Sequence, residues 1–181
     1  MLKKVTQTLS ATFLATMLIG CDGNTPLMDE TMDGNIETVK SMLSQGGNVD
    51  ERNNYGWTAL SHAARIGNTE LMQMLIDKGA DVNSKDDAGW TPLMRAAVKG
   101  HVEALKMLIA NGANYNDVEN KGWTALHWAA QRDNKETVEA LLVAGADFTI
   151  ANADGMTPRF VALKERNVEI VELFMDAGDR D

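Results

Sequence analysis

The chain has 181 residues, 44% hydrophobic and 24% charged, a globular composition that excludes wholesale disorder and fits one compact domain or one short repeat array. Seventeen basic against 26 acidic side chains give a formal charge of −9, which disfavours non-specific attraction to nucleic acid or an anionic bilayer. A single cysteine excludes an intramolecular disulfide and any zinc site built from several thiolates, and the three histidines (62, 101 and 127) are scattered.

The chain opens Met1-Leu2-Lys3-Lys4, followed by a mostly apolar run from Leu9 to Gly20. A basic start before about a dozen apolar-leaning residues is signal-peptide design, and it is shorter than the ~20 apolar residues that a membrane-spanning helix needs. Residues 1–20 are therefore expected to be a cleaved signal peptide. Leu18-Ile19-Gly20-Cys21 resembles the lipobox of bacterial lipoproteins, and the only cysteine stands at the cleavage position. That resemblance implies acylation of Cys21 and attachment of the mature chain to a membrane through its lipid. Removing Lys3 and Lys4 takes the formal charge from −9 to −11. Asp22 resembles the signal that keeps such lipoproteins at the inner membrane, so the expected location is the periplasmic side of a bacterial membrane.

The rest of the chain repeats. Gly23, Gly56, Gly89, Gly122 and Gly155 are evenly spaced, and each is followed two positions later by threonine. A second register runs through Gly46, Gly79, Gly112, Gly145 and Gly178 with the same period. Two markers in step over five copies define units at about 23–55, 56–88, 89–121, 122–154 and 155–181. In the third unit Thr91 suits an N-cap and Pro92 the first helical position. The first helix passes Ala96-Ala97 and ends at Gly100, a residue able to take the left-handed C-cap conformation. Val102, Leu105, Leu108 and Ile109 form the apolar stripe of a second helix that ends at Gly112. The alanine pairs 63–64, 96–97 and 129–130 are small enough for neighbouring helices to approach closely. No unit buries its apolar face alone, so stacking must supply the core.

These features resemble the ankyrin repeat, and the likeness covers residues 21–181. It implies an all-α repeat solenoid of five 33-residue helix-turn-helix units with β-turn fingers. The end units depart from the pattern. Glu30-Thr31 replaces the alanine pair in the first, and Arg159 replaces a leucine in the last, so both are expected to be polar caps. The family's Thr-Pro-Leu-His signature keeps its histidine only at His127, which reads as structural. Met28, Ser61, Met94 and Phe160 fill the other places, which predicts a weaker hydrogen-bond network between repeats.

No nucleophile–base constellation, phosphate loop or His-Glu-x-x-His motif is present. Glu70, Glu103, Glu136 and Glu169 share one repeat position early in the second helix, where acidic groups favour the helix dipole. No catalytic residue, cofactor, metal or small-molecule substrate is expected.

In the ankyrin family the fingers and first helices line a concave groove that binds proteins. The residue between the repeated glycine and threonine is Trp57, Trp90 and Trp123 in three successive units, then Met156. Arg65, Lys99, Arg132 and Lys164 stand near the ends of the first helices, and Arg95 lies within one. An aromatic ladder with basic neighbours predicts a partner protein carrying an acidic patch. Nucleic acid is not expected in an exported acidic protein. The resulting expectation is a non-enzymatic, lipid-anchored binding module. Its role is read as a stoichiometric inhibitor or immunity protein against a secreted toxin such as a phospholipase. The alternatives are a periplasmic scaffold supporting an enzyme, for example an antioxidant one, and an enzyme with an unrecognised site.

Overall fold

The computed structural model describes residues 22–178, so residues 1–20 and the lipidation position Cys21 lie outside the described residues. The described residues form ten helices and no strand: α1 (Pro26–Met32), α2 (Ile36–Ser44), α3 (Ala59–Ile66), α4 (Thr69–Asp77), α5 (Pro92–Lys99), α6 (Val102–Ala110), α7 (Ala125–Gln131), α8 (Lys135–Val143), α9 (Pro158–Glu165) and α10 (Val168–Gly178). They pair as five antiparallel hairpins. The first helices α1, α3, α5, α7 and α9 pack in sequence on one another, and the second helices do the same behind them. This is the expected all-α solenoid.

Each first helix begins in the same way. Thr25, Thr58, Thr91, Thr124 and Thr157 are N-caps in extended conformation, and their hydroxyls accept the N–H groups of Met28, Ser61, Met94, His127 and Phe160. Each such cap stabilises its helix start by ~1 kcal/mol, a large fraction of what a helix of two turns can hold alone. Helix α3 ends on Gly67 and α5 on Gly100, both left-handed, with φ of 74° and 72°. A Cβ on Gly67 would also meet the His101 ring at 2.7 Å.

The core is a seam of small residues backed by larger ones. Ala63, Ala64, Ala96, Ala97, Ala129 and Ala130 are fully buried between first helices, and Leu71, Leu75, Leu105, Leu108, Val138 and Leu141 are fully buried behind them. Each of the larger side chains contributes roughly 1.5–3 kcal/mol by burial.

The end units are not polar caps in the expected sense. Thr31 is completely buried and donates its hydroxyl to the Leu27 carbonyl at 2.6 Å, leaving no unmet polar atom. The second residue of each pair faces the next repeat, so Thr31 is covered by α3, whereas Glu30 on the outward side is half-buried. At the other end Arg159 is exposed as expected, yet Phe160 and Leu163 are 52% and 60% exposed. They occupy positions that earlier repeats bury under the repeat that follows.

The repeats are stitched together by bonds that recur once per unit. The Asn54, Asp87, Asn120 and Ala153 amides donate to the carbonyls of Asp22, Tyr55, Ala88 and Lys121 on the preceding finger. Asn134 and Asn167 donate to the Ala97 and Ala130 carbonyls at 2.8 Å, and the His101 ring bonds the Arg65 carbonyl at the equivalent place. At the far end of each second helix, Asp50, Asn83 and Asn116 accept the amides of Asp81, Asn114 and Asp147. The network expected to be weakened by missing histidines is thus carried chiefly by asparagine and aspartate.

Candidate functional site

Each finger is held open by one acceptor side chain. Asn53, Asp86, Glu119 and Asn152 hold the same position of successive repeats, and each side-chain oxygen accepts two backbone amides, two and four positions further on. The second of these amides belongs to Trp57, Trp90, Trp123 and Met156. Each of these four residues is thus tied to its own finger through its backbone amide.

The tryptophans do not form a free ladder, because their ring faces are already used. The Arg95 guanidinium lies 3.7 Å from the Trp57 ring centroid and 4.3 Å from that of Trp90. Trp128, from helix α7, sits 4.5 Å from both Trp90 and Trp123, with tilts of 32° and 34°. Trp57 further packs against His62 at 4.9 Å, and Arg65 stands 5.7 Å from it. The result is one continuous run: His62, Trp57, Arg95, Trp90, Trp128, Trp123. All four tryptophans are half-buried. Met156 is half-buried at the end of the row and adds its carbonyl, which the His127 ring bonds at 3.0 Å.

Trp128 and His62 are the members of this run that sequence reasoning misses, and they share one repeat position. That position holds Asp29, His62, Arg95, Trp128 and Val161, five different side chains in a pattern otherwise repeated. That variability is the available signal, because a position free to vary within a constant frame is one the frame does not need.

The basic residues separate into two groups. Arg95 is anchored: its guanidinium pairs with the buried carboxylate of Asp86. Burial pulls its pKa below the usual value, and the Asp86 bond opposes that. Arg52 lies 4.0 Å from Asp87 and Lys85 lies 3.3 Å from Asp117, which neutralises two cations near the fingers. Arg65 is half-buried beside Trp57, while Lys99, Arg132 and Lys164 are exposed. The four do not share one row, since Arg65 and Lys164 hold one repeat position and Lys99 and Arg132 the next.

Unmet polar atoms cluster along the same run. Nε of Arg65 and Arg95, Nε1 of Trp128, Nδ2 of Asn152 and both ring nitrogens of His62 are buried without a partner among the described residues. Burial holds the His62 pKa down at about 4, with the Arg65 and Arg95 charges adding to the effect and Asp22 opposing it. His127, by contrast, is satisfied: Nδ1 contacts the Thr124 amide and hydroxyl, completing a capping box, and Nε2 bonds Met156. A hollow of about 470 Å³ lies elsewhere, beside α8 and α10, lined by Leu142, Val143, Phe148, Leu173 and Ala177.

Among the described residues no group of three or more His, Cys, Asp or Glu side chains is placed to hold a metal, and no helix is long and apolar enough to cross a membrane. The family described as "Ankyrin repeats (3 copies)" matches residues 7–86, 27–119, 84–152 and 116–181. A search of curated proteins found no match. Ankyrin-repeat proteins are typically non-enzymatic modules for protein–protein interaction. With five hairpins in one constant register and that family's match running from residue 7 to residue 181, the chain belongs to the ankyrin-repeat family.

Proposed function

We propose that this protein binds a partner protein through the face built by its fingers and first helices, and that the partner presents an acidic patch. The observation that carries this reading is the set of unmet donors along the aromatic run. Among the described residues, Arg65, Arg95 and Trp128 each leave a buried N–H without an acceptor, and Lys99 and Arg132, at the ends of their first helices, are exposed cations. A buried donor left unpaired costs roughly 1–3 kcal/mol, which favours a side-chain shift that opens these N–H groups to an acceptor of the partner.

The proposal extends to location and role. The lipobox at Cys21 supports attachment to the periplasmic side of a bacterial membrane. The finger stack begins at the next residue, where the Asp22 carbonyl accepts the Asn54 amide, so a lipid on Cys21 would hold the array close to the bilayer. A preformed, polar-edged face on an exported protein suits a stoichiometric inhibitor, an immunity protein that blocks a secreted toxin such as a phospholipase.

The test is crosslinked capture from the native envelope, comparing wild type with Lys99→Glu/Arg132→Glu. Both residues are exposed, so the double change leaves the fold intact and should abolish recovery of the partner. Equal recovery would exclude this face. Loss of the gene should sensitise cells to the toxin encoded beside it, and unaltered survival would remove the immunity role while leaving the binding face standing. Labelling with a radioactive fatty acid, lost in Cys21→Ser, tests the anchor separately.

A further inference from the structure

The back of the array, formed by the second helices, is opposite in charge to the face that carries the fingers. The second helices hold nine carboxylates and three lysines, whereas the first helices hold five cations and three carboxylates. Between α6 and α8 this acidic back opens into a hollow of about 700 Å³, with Val102, Ile109, Ala140 and Ala144 in its lining. Val143 lines it too, is 90% exposed, and also borders the hollow of about 470 Å³ on the other side of α8. The repeat frame does not require this surface. Ala140 stands where α4 and α6 carry Met74 and Met107, so the space that a methionine takes there is open here. Val143 stands where α4 and α10 carry Asp77 and Asp176. A valine left in water contributes nothing to folding through burial. The hollow at α2 and α4, by contrast, is lined mainly by polar side chains such as Glu37, Lys40, Glu70 and Gln73.

We propose that the groove between α6 and α8 binds a helical segment of a partner protein, apolar along one stripe and bearing lysine or arginine beside it. Shape selects the helix. The groove follows two helices lying side by side, from Val102 at the start of α6 to Ala144 just past the end of α8. Its length is about 12 Å, a little over two helical turns, which seats partner side chains at i, i+3 or i+4, and i+7. Ala140 and Ala144 are one turn apart, and their small side chains let the incoming helix come close.

Charge selects the flanks. Glu136 and Glu139 line the groove, are exposed, and form no ion pair among the described residues. The lysines of the same two helices are already engaged, Lys106 with Glu103 at 3.1 Å and Lys135 with Glu169 at 2.9 Å. Cations on the incoming helix therefore meet two free carboxylates, while an acidic helix or an anionic bilayer is repelled. The walls belong to the third and fourth repeats, so the groove does not depend on how the array ends. It lies behind the finger face, so it is a second surface, independent of the one proposed above.

The experiment is fluorescence anisotropy of the full chain with a labelled peptide of about 18 leucines and lysines, a leucine at every third or fourth position. The control peptide has the same composition with its leucines scattered around the helix. The patterned peptide should bind about tenfold more tightly than the control. Val143→Asp adds a negative charge, so attraction by net charge alone would strengthen binding, whereas docking in the groove predicts about a tenfold loss. Because Val143 is 90% exposed, that variant should melt as the wild type does. Ala140→Met fills the hollow and should weaken binding as much, and Glu136→Gln/Glu139→Gln should weaken it about tenfold and flatten its salt dependence. Lys99→Glu/Arg132→Glu, which tests the finger face, should leave peptide binding no weaker. The proposal is overturned if both peptides bind alike or if Val143→Asp and Ala140→Met bind as tightly as wild type. It is also overturned if sedimentation shows a pair of chains that Val143→Asp abolishes, which would put a second copy in the groove. Binding to phosphatidylcholine vesicles that the same variant abolishes would put a bilayer there and overturn it equally.

Discussion

Arg95 and Trp128 occupy the same position of successive repeats, and each fills the gap between the tryptophan of its own finger and that of a neighbouring finger. A cation and an aromatic ring thereby play one structural part, since both are flat and both bind a ring face. The two are not equivalent energetically. Arg95 brings a charge into a half-buried place, and the Asp86 carboxylate that also holds the finger open neutralises it. Arg95→Ala should therefore remove two ring contacts and leave a buried carboxylate unpaired, lowering stability by about 2–4 kcal/mol in urea unfolding. Arg95→Ala combined with Asp86→Asn should lose less than the two single changes added together, because the pair acts as a unit.

Trp128 links the rings of two fingers, so it determines whether their transitions couple. The two 4.5 Å contacts should give the native protein a strong bisignate circular dichroism band in the indole region. Trp128→Phe should remove most of that band while leaving the far-ultraviolet helix signal. Trp57→Phe should leave the band nearly unchanged, because Arg95 separates Trp57 from the other rings. An unaltered band in Trp128→Phe would contradict the stacking.

The repeat frame is legible in the sequence because backbone geometry demands particular residues. The threonine caps, the left-handed glycines and the alanine seams each satisfy a local rule that recurs from unit to unit. The occupants of the binding face are less legible. Trp57, Trp90 and Trp123 repeat and stand out, but what lies between them comes from the first helices and from neighbouring repeats. Trp128 is an isolated helical residue in the sequence, and only stacking places it between two fingers. The pairing of Arg95 with Asp86 is hidden for a similar reason: Asp86 stands among many acidic turn residues, and only its burial separates it from Asp87. The ends mislead because Glu30-Thr31 looks like one polar property shared by two neighbours. Only the geometry shows that the first residue of each pair faces backwards and the second forwards, which makes Glu30 polar and Thr31 core.

His127 shows what the third repeat lacks. Its ring closes a capping box with Thr124 and reaches the Met156 carbonyl of the next finger, whereas Met94 holds the equivalent position after the cap Thr91. Met94→His should place one ring nitrogen on Thr91 and the other on the Trp123 carbonyl. The gain should be about 1 kcal/mol, one net hydrogen bond after the lost apolar burial of a methionine that is 1% exposed. Thermal unfolding checks the gain, and protection of the Trp123 finger amides in hydrogen exchange should rise with it.

Backbone strain is concentrated in the last two repeats. Gly34, Gly67 and Gly100 share a position that Asp133 and Arg166 continue, with φ of 59° and 65°. A side chain in this region is disfavoured by ~1–2 kcal/mol, and arginine has no local polar compensation of the kind aspartate has. Arg166→Gly should therefore stabilise the fold by about 0.5–1 kcal/mol, the relief being partly offset by the freer unfolded chain. Asp133→Gly should gain less. Chemical denaturation of both variants measures the difference, and a loss of stability in Arg166→Gly would mean that its side chain makes contacts that outweigh the strain.

His62 makes the stability of this face depend on pH. Its ring is 4% exposed, packs on Trp57, and has no partner for either nitrogen among the described residues. The folded pKa of about 4 lies below the ordinary value of 6.5, so between those values the folded ring is neutral while the unfolded one takes up a proton. The unfolded state then binds more protons, and stability rises with pH across this window. The contribution is complete above pH 6.5 and is lost as pH falls towards 4, amounting to about 3 kcal/mol over the range. His127 shifts in the same direction through burial, so the wild-type profile contains both. The difference between wild type and His62→Phe isolates one of them. That variant should keep the aromatic contact with Trp57, remove two unmet nitrogens, and unfold with a shallower dependence on pH between 6.5 and 4. Parallel profiles for the two proteins would show that His62 reaches a partner when protonated, and with it that the ring is not sealed between Arg65 and Arg95.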